Sequence, residues 1–243
     1  MITILICTLK KELELNNELP TIIVSPNKYE NKDNIKWVKD YGMGMAAARN
    51  AGLKAVKTEY VLYLGDDNTL NDVFIKKAIE YINANRWVGC GFLTRFYLPE
   101  GYNELCLDKR YKYRFKEGNA SVIGSPFLFR TEVLKRFMFD DKCGYCDDTD
   151  LCDRMKFYGH QFGFSKYICY ESKERAAEVK ERFIMYGKGD KSYYEKYSPN
   201  WSIFRKLQSI LHPLMCEFIP SIFYIPFYFY IVFWRYYGWI KSK

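Results

Sequence analysis

The stretch Tyr60-Val-Leu-Tyr-Leu-Gly-Asp-Asp-Asn68 constrains this chain more than any other. An unbroken run of β-branched, aromatic and aliphatic residues reads as a buried strand, and it stops at Gly65 before two adjacent carboxylates and an amide. In open α/β sheets ligands bind outside the carboxyl ends of the strands, so Asp66 and Asp67 are expected where a substrate-bound cation would sit.

The flanking segments supply the rest of such a sheet. Ile2–Cys7 and Thr21–Ser25 read as strands, with a polar helical stretch at Lys10–Asn17 between them. Small residues from Met45 to Val56 predict a helix able to pack closely on a sheet, and Val73, Phe74, Ala78, Tyr81 and Ile82 mark another helix over Asn71–Asn83. Trp87–Tyr97, Ser121–Arg130 and Tyr167–Tyr170 read as further strands and Thr131–Phe137 as a short helix. Leu98–Gly118 is basic and tyrosine-rich, and its alternation over Arg110–Lys116 fits either an exposed edge strand or a mobile loop that binds acceptor or phosphate. A charged helical stretch from Ser172 to Tyr186 is expected to end at Gly187-Lys-Gly189.

A second acidic cluster, Asp147-Asp-Thr-Asp150, opens a helix on which Leu151, Met155 and Tyr158 share a face and which Gly159 is placed to end. Asp148 suits an N-cap and its neighbours suit the helix dipole. Three carboxylates in four positions exceed what a cap needs, and such crowding raises at least one proton affinity, a property of a general base or a metal site.

Lys and Arg number 37 against 29 Asp and Glu, a net charge of +8, which suits a nucleotide, a nucleic acid or an anionic membrane. The eight cysteines are scattered, as reduced thiols would be; Cys143-Gly-Tyr-Cys146 lacks a second pair for zinc and a strand-to-helix setting for redox work. Met1–Leu9 has neither the basic start nor the apolar length of a signal peptide, so the catalytic part is expected at the cytoplasmic face of a membrane. The membrane enters through Phe218–Trp234, a run without charge between Glu217 and Arg235 that contains Pro220 and Pro226. A membrane-embedded hairpin or interfacial helix pair is expected first, a bent single span next, and a soluble core helix last, since the run is apolar all round and Arg205, Lys206, Arg235, Lys241 and Lys243 flank it.

Three motifs, taken in order, resemble those of the family 2 glycosyltransferases, inverting enzymes of the GT-A fold: Gly42-Met-Gly-Met-Ala-Ala-Ala-Arg-Asn-Ala-Gly52, Leu64-Gly-Asp-Asp-Asn68 and Gly144-Tyr-Cys-Asp-Asp-Thr-Asp-Leu-Cys-Asp-Arg-Met-Lys-Phe-Tyr-Gly159. The resemblance implies a Rossmann-like, mixed but mostly parallel sheet flanked by helices, with a GT-A catalytic domain at 1–190 and a membrane-associated helical segment at 191–243. It implies Asp67 as the principal ligand of Mg²⁺ or Mn²⁺, with Asp66 beside it on metal or ribose. Thr8, Arg49 and Asn50 would line the nucleotide-sugar pocket. Asp148 would be the general base, and Asp147 would stand where the family usually has Glu. The sequence departs from the family pattern at Val24-Ser25-Pro26-Asn27, where an Asp pair is usual, at Gly65 in place of the first Asp of DxD, and at Tyr170 or Glu171 where a His is frequent.

The implied function is metal-assisted, inverting transfer of a sugar from a nucleotide-sugar to a hydroxyl of a membrane-presented acceptor, lipid-linked or glycan. The alternative is a catalytically idle GT-A-like module that binds a nucleotide sugar or a partner at the membrane. Nucleic acid is not the expected partner, because the acidic pairs would repel a phosphate backbone.

Overall fold

The computed structural model describes residues 1–13, 18–221 and 224–242. Ile2–Cys7 (β1), Thr21–Ser25 (β2) and Tyr60–Tyr63 (β4) are buried along their whole length, as their continuous apolar patterns require. With Ile35–Lys39 (β3) they form a parallel array in the order β3-β2-β1-β4. Phe127–Arg130 (β8) continues the sheet antiparallel to β4, followed by Gly89–Phe96 (β6) and Phe162–Glu171 (β9), which run parallel to one another. Two short strands, Asn68–Thr69 (β5) and Gly118–Asn119 (β7), pair antiparallel with β9. The expected mixed α/β sheet is therefore present, its parallel half lying in the first four strands of the order.

Side chains alternate along β1, so Leu5 and Cys7 enter one apolar layer and Ile4 and Ile6 the other. The first layer packs Met45–Ala55 (α1), Thr131–Phe137 (α4) and Asp147–Phe157 (α5) on the sheet, and the second packs Asp72–Ala84 (α2). Asn71 caps α2 by accepting from Val73 N at 2.8 Å. On α5, Leu151 and Met155 are buried, whereas Tyr158 lies beyond the helix and is 63% exposed.

Several expectations are corrected. Residues 10–13 are not helical, and the rest of the Lys10–Asn17 helix lies outside the described residues. The strand expected over Ser121–Arg130 is confined to β8, with a loop before it. The basic stretch is neither strand nor loop: Tyr102–Arg114 is a helix (α3), opened by Glu104 accepting from the backbone nitrogens of residues 100 and 101. Its buried Cys106, Leu107, Arg110 and Tyr111 recur at helical spacing, and the intervening lysines hide that stripe in an alternating pattern.

Gly187 and Gly189 do not end a helix either. Val179–Tyr197 (α6) runs through both: Ile225–Lys241 (α8) crosses it at backbone contact beside Gly187, and Gly189 lies against the backbone of Tyr145 and Cys146. A Cβ on Gly187 would lie 1.8 Å from the Arg235 carbonyl oxygen, and one on Gly238 would lie 2.0 Å from that of Ile184. The division drawn after residue 190 thus falls within α6.

Ile203–Ser221 (α7) and α8 form a helical hairpin. Phe227, Ile231 and Val232 join Phe183 and Leu107 in a third core cluster, so the apolar run is not free on all sides and one face of α8 is a core face. At the centre Glu217 of α7, fully buried, accepts from Arg110 Nε at 2.5 Å, Arg110 Nη2 at 2.7 Å and Arg235 Nη1 at 2.7 Å. Among the described residues, no helix is long and apolar enough to cross a membrane.

Candidate functional site

The carboxyl ends of β1 and β4 bring two predicted residues into contact. Thr8 Oγ1 donates to Asp66 Oδ2 at 2.5 Å, and Lys10 Nζ donates to the Asp66 carbonyl at 2.8 Å. Gly65 N donates to Asn68 Oδ1 at 3.2 Å, which closes the acidic turn on itself. The turn is then fastened to the end of β9. Asn68 pairs with Glu171, Thr69 with Tyr170, and Ser172 N donates to the Asp67 carbonyl at 2.8 Å. The Asp67 side chain, 11% exposed, forms an ion pair with Arg175, which also holds Glu178 at 2.9 Å through Nη1.

Glu171, one of two residues at the place where the family frequently has a His, is engaged elsewhere. It accepts from Tyr111 Oη at 2.6 Å and from Arg182 Nη2 at 3.1 Å. Asp66 and Asp67 remain as two hard oxygen ligands at a strand end. That set fits Mg²⁺ or Mn²⁺, ions that take one or two carboxylates together with substrate phosphates and water.

Tyr63, the last residue of β4, leads to the second acidic cluster. The Arg49 guanidinium of α1 lies 4.4 Å from the centre of the Tyr63 ring and 5.1 Å from that of Phe139. Its Nη1 lies 2.7 Å from both carboxylate oxygens of Asp147, at the first turn of α5. Burial raises the proton affinity of Asp147, and Arg49 opposes that rise.

Asp148, the next residue, has no such cation. Its Oδ1 accepts from Thr149 N at 2.7 Å, and Oδ2 faces the backbone of Gly124, where a Cβ would stand 2.8 Å away. Burial, followed by the Asp147 charge, pushes its pKa up to about 6, with Arg49 acting against both. Asp148 is not the N-cap of α5; the flanking residue is Cys146, which makes no side-chain cap.

Asn50 separates from the group. Its side chain donates to the Phe139 carbonyl at 2.8 Å and accepts from Phe139 N at 2.9 Å, so it fastens the chain after α4 to α1. The structure adds Lys10, Gly124 and Arg175 to the predicted residues. Arg175 carries no sequence signal, being one cation in a stretch dense with charge.

Asp140, Cys143 and Asp150 bring ligand atoms within 4.8 Å of one another. Lys196 already fills that space: its Nζ lies 2.7 Å from Asp140 Oδ2 and 3.5 Å from Cys143 Sγ, and it pairs with Asp150. Asp150 also accepts from Tyr197 Oη at 2.5 Å and Arg154 Nε at 2.7 Å. This cluster latches α6 to α5 and does not suit a metal. Cys143 and Cys146 are free thiols.

Residues 27–138 match the family described as Glycosyl transferase family 2. The uncharacterized glycosyltransferase MJ1057 of Methanocaldococcus jannaschii is 23% identical over 142 residues, 56% of this chain and 49% of that protein, so the chain spans about half the length of this curated relative. Among solved structures, residues 1–349 of S. aureus TarS in complex with UDP-GlcNAc superpose with a TM-score of 0.54 at 15% identity, over 89% of this chain and 72% of that one. The mannosyltransferase PcManGT from Pyrobaculum calidifontis, in complex with GDP-Man and Mn²⁺, gives 0.58 at 13% identity, over 98% and 73%. At such identities the likeness is one of fold. The family match takes in the first two of the three motifs, residues 42–52 and 64–68, and agrees with the resemblance they carry; the third, residues 144–159, lies beyond it.

Proposed function

We infer that this chain is a family 2 glycosyltransferase that moves a sugar from a nucleotide-sugar donor to an acceptor hydroxyl in one inverting displacement. The observation that carries this reading is the division of labour between adjacent carboxylates: Arg49 holds Asp147, while Asp148 keeps a free oxygen and a proton affinity suited to a general base. Asp148 takes the proton of the acceptor hydroxyl as that oxygen attacks the anomeric carbon and the donor diphosphate leaves. Asp147 and Arg49 fix the helix turn that presents the base. At the donor end Asp67 and Asp66 would hold Mg²⁺ or Mn²⁺, which when bound neutralises charge on the leaving diphosphate. Thr8 orients Asp66, and Lys10 adds a cation beside it.

The acceptor is proposed to be membrane-presented, at the cytoplasmic face. The support is the hairpin surface: Phe204 is 70% exposed and Met215 65%, with Leu207, Phe218, Phe229 and Phe233 also exposed and Arg205, Lys206 and Lys241 on the same two helices. Apolar side chains interleaved with cations suit an anionic interface. Incubating the purified protein with Mn²⁺ and a panel of nucleotide sugars should release free nucleotide, and Asp148→Asn should stop the release while leaving the fold intact. Persisting turnover in that variant would remove Asp148 from the base role.

A further inference from the structure

Arg175 stands on a short 3-10 turn, Lys173–Ala176, immediately after β9, and its side chain ion-pairs with the carboxylate expected to receive the donor's cation. The two partners are unequal. Asp67 is held through its backbone by Ser172 and is nearly buried, whereas the Arg175 side chain is 43% exposed and carries a second anchor, Glu178 at 2.9 Å. The guanidinium, half in solvent and tied otherwise only to the exposed Glu178, is therefore the partner with more room to move.

Its neighbours define where it can go. Arg182 lies behind it, committed to Glu171 at 3.1 Å and to Tyr111 Oη at 2.6 Å, and the like charges repel. On the acidic turn, Lys10 donates to Asp66. A divalent cation held by Asp67 would add to the repulsion from Arg182 and remove the attraction that holds Arg175. The donor that would bring such a cation carries a diphosphate, whose oxygens a planar guanidinium matches well.

We propose that Arg175 is the resident counter-ion of the donor site, holding Asp67 in the absence of donor and turning onto the donor diphosphate when a divalent cation takes Asp67. The proposal rests on the donor reading given above. It makes Arg175 a binding residue that competes with the metal and cooperates with the nucleotide, two effects of opposite sign in one side chain.

The chain, its Arg175→Gln variant and its Arg175→Lys variant separate these effects. Binding of Mn²⁺ alone is followed by the loss of the free-ion paramagnetic signal, and thermal protection by UDP and GDP with Mn²⁺ is compared with protection by UMP and GMP. Arg175→Gln should bind Mn²⁺ about two- to fivefold more tightly, the range of a half-exposed ion pair, and lose protection by the diphosphate while keeping that by the monophosphate. Arg175→Lys should fall between. Unchanged or weaker Mn²⁺ binding in Arg175→Gln, or undiminished diphosphate protection, overturns the role of Arg175 alone. A wild-type chain that neither diphosphate protects defeats the donor reading and with it the proposal.

Discussion

Arg49 Nη1 lies 2.7 Å from both carboxylate oxygens of Asp147, and this contact decides which of two adjacent aspartates is available for chemistry. Arg49 opposes the rise in proton affinity that burial gives Asp147, and it occupies both oxygens of that carboxylate. Asp148, one residue on, is left with burial and a neighbouring negative charge, both of which favour its protonated form.

Turnover should therefore carry an acid limb set by Asp148. The profile of kcat/KM against pH is expected to fall below about pH 6, where the base is protonated, and to level above it. Asp148→Asn should lower kcat by about 10²–10⁴-fold, the usual worth of a positioned base. A variant with wild-type rates, or a limb well away from pH 6, would contradict the assignment.

Asp147→Asn should move that limb to lower pH. It removes the charge that raises the Asp148 proton affinity and frees Arg49 to act on Asp148, and both changes favour the carboxylate. An upward shift would show that Asp147 does not act through Asp148.

The same group sets a stability trade-off. Because the folded-state pKa of Asp148 is raised, the native state holds this proton more tightly than the unfolded chain does. The resulting loss of stability develops as pH rises from about 4 to about 6 and stays above that. Asp148→Asn should accordingly melt no lower than wild type at pH 7, with a gain of about 1–2 kcal/mol, and the difference should shrink toward pH 4. A large drop in melting temperature at pH 7 would refute this.

Glu217 behaves in the opposite sense. Arg110, foremost among three arginines, holds its carboxyl far below the usual range against the cost of burial, so its contribution is present at neutral pH and is lost as pH falls below about 4. Glu217→Gln leaves the buried Arg110 without its anion, while Arg235 keeps Asp190, and should cost about 3–5 kcal/mol at pH 7. Chemical denaturation at pH 7 and at pH 3.5 should show the gap between the two proteins closing in acid.

The helix crossing gives a steric prediction. Gly187→Ala must push α6 and α8 apart at the Arg235 carbonyl, an overpacking cost of about 1–3 kcal/mol, and Gly238→Ala should do the same at Ile184. Each is measured by urea unfolding, and a neutral result would mean that the helices do not approach this closely in solution.

The exposed face of the hairpin can be tested apart from catalysis. Phe204→Asp with Met215→Asp should abolish sedimentation with anionic vesicles and leave the melting temperature within a degree or two, since both side chains are largely exposed. Retained vesicle binding would remove this face from membrane association.

The sequence alone determined the sheet-forming strands β1, β2 and β4, the helices α2 and α4, and both acidic clusters, because each is written in a local pattern: continuous apolar runs, a capped amphipathic period, carboxylates at a strand end or a helix start. It grouped Thr8 with Asp66, and Arg49 with the site, through motif order. The resemblance set Asp148 apart from Asp147 as the base, but the local pattern of adjacent carboxylates holds no physical difference between them; that comes from the guanidinium of residue 49. Nor could local pattern give α3, whose Arg110 is buried only because Glu217 lies 107 positions away to receive it. Gly187 reads locally as a helix end and becomes a helix interior because α8 needs its missing side chain. Tertiary contact decided these cases, since burial, pairing and close approach depend on what the chain brings back from far along its length.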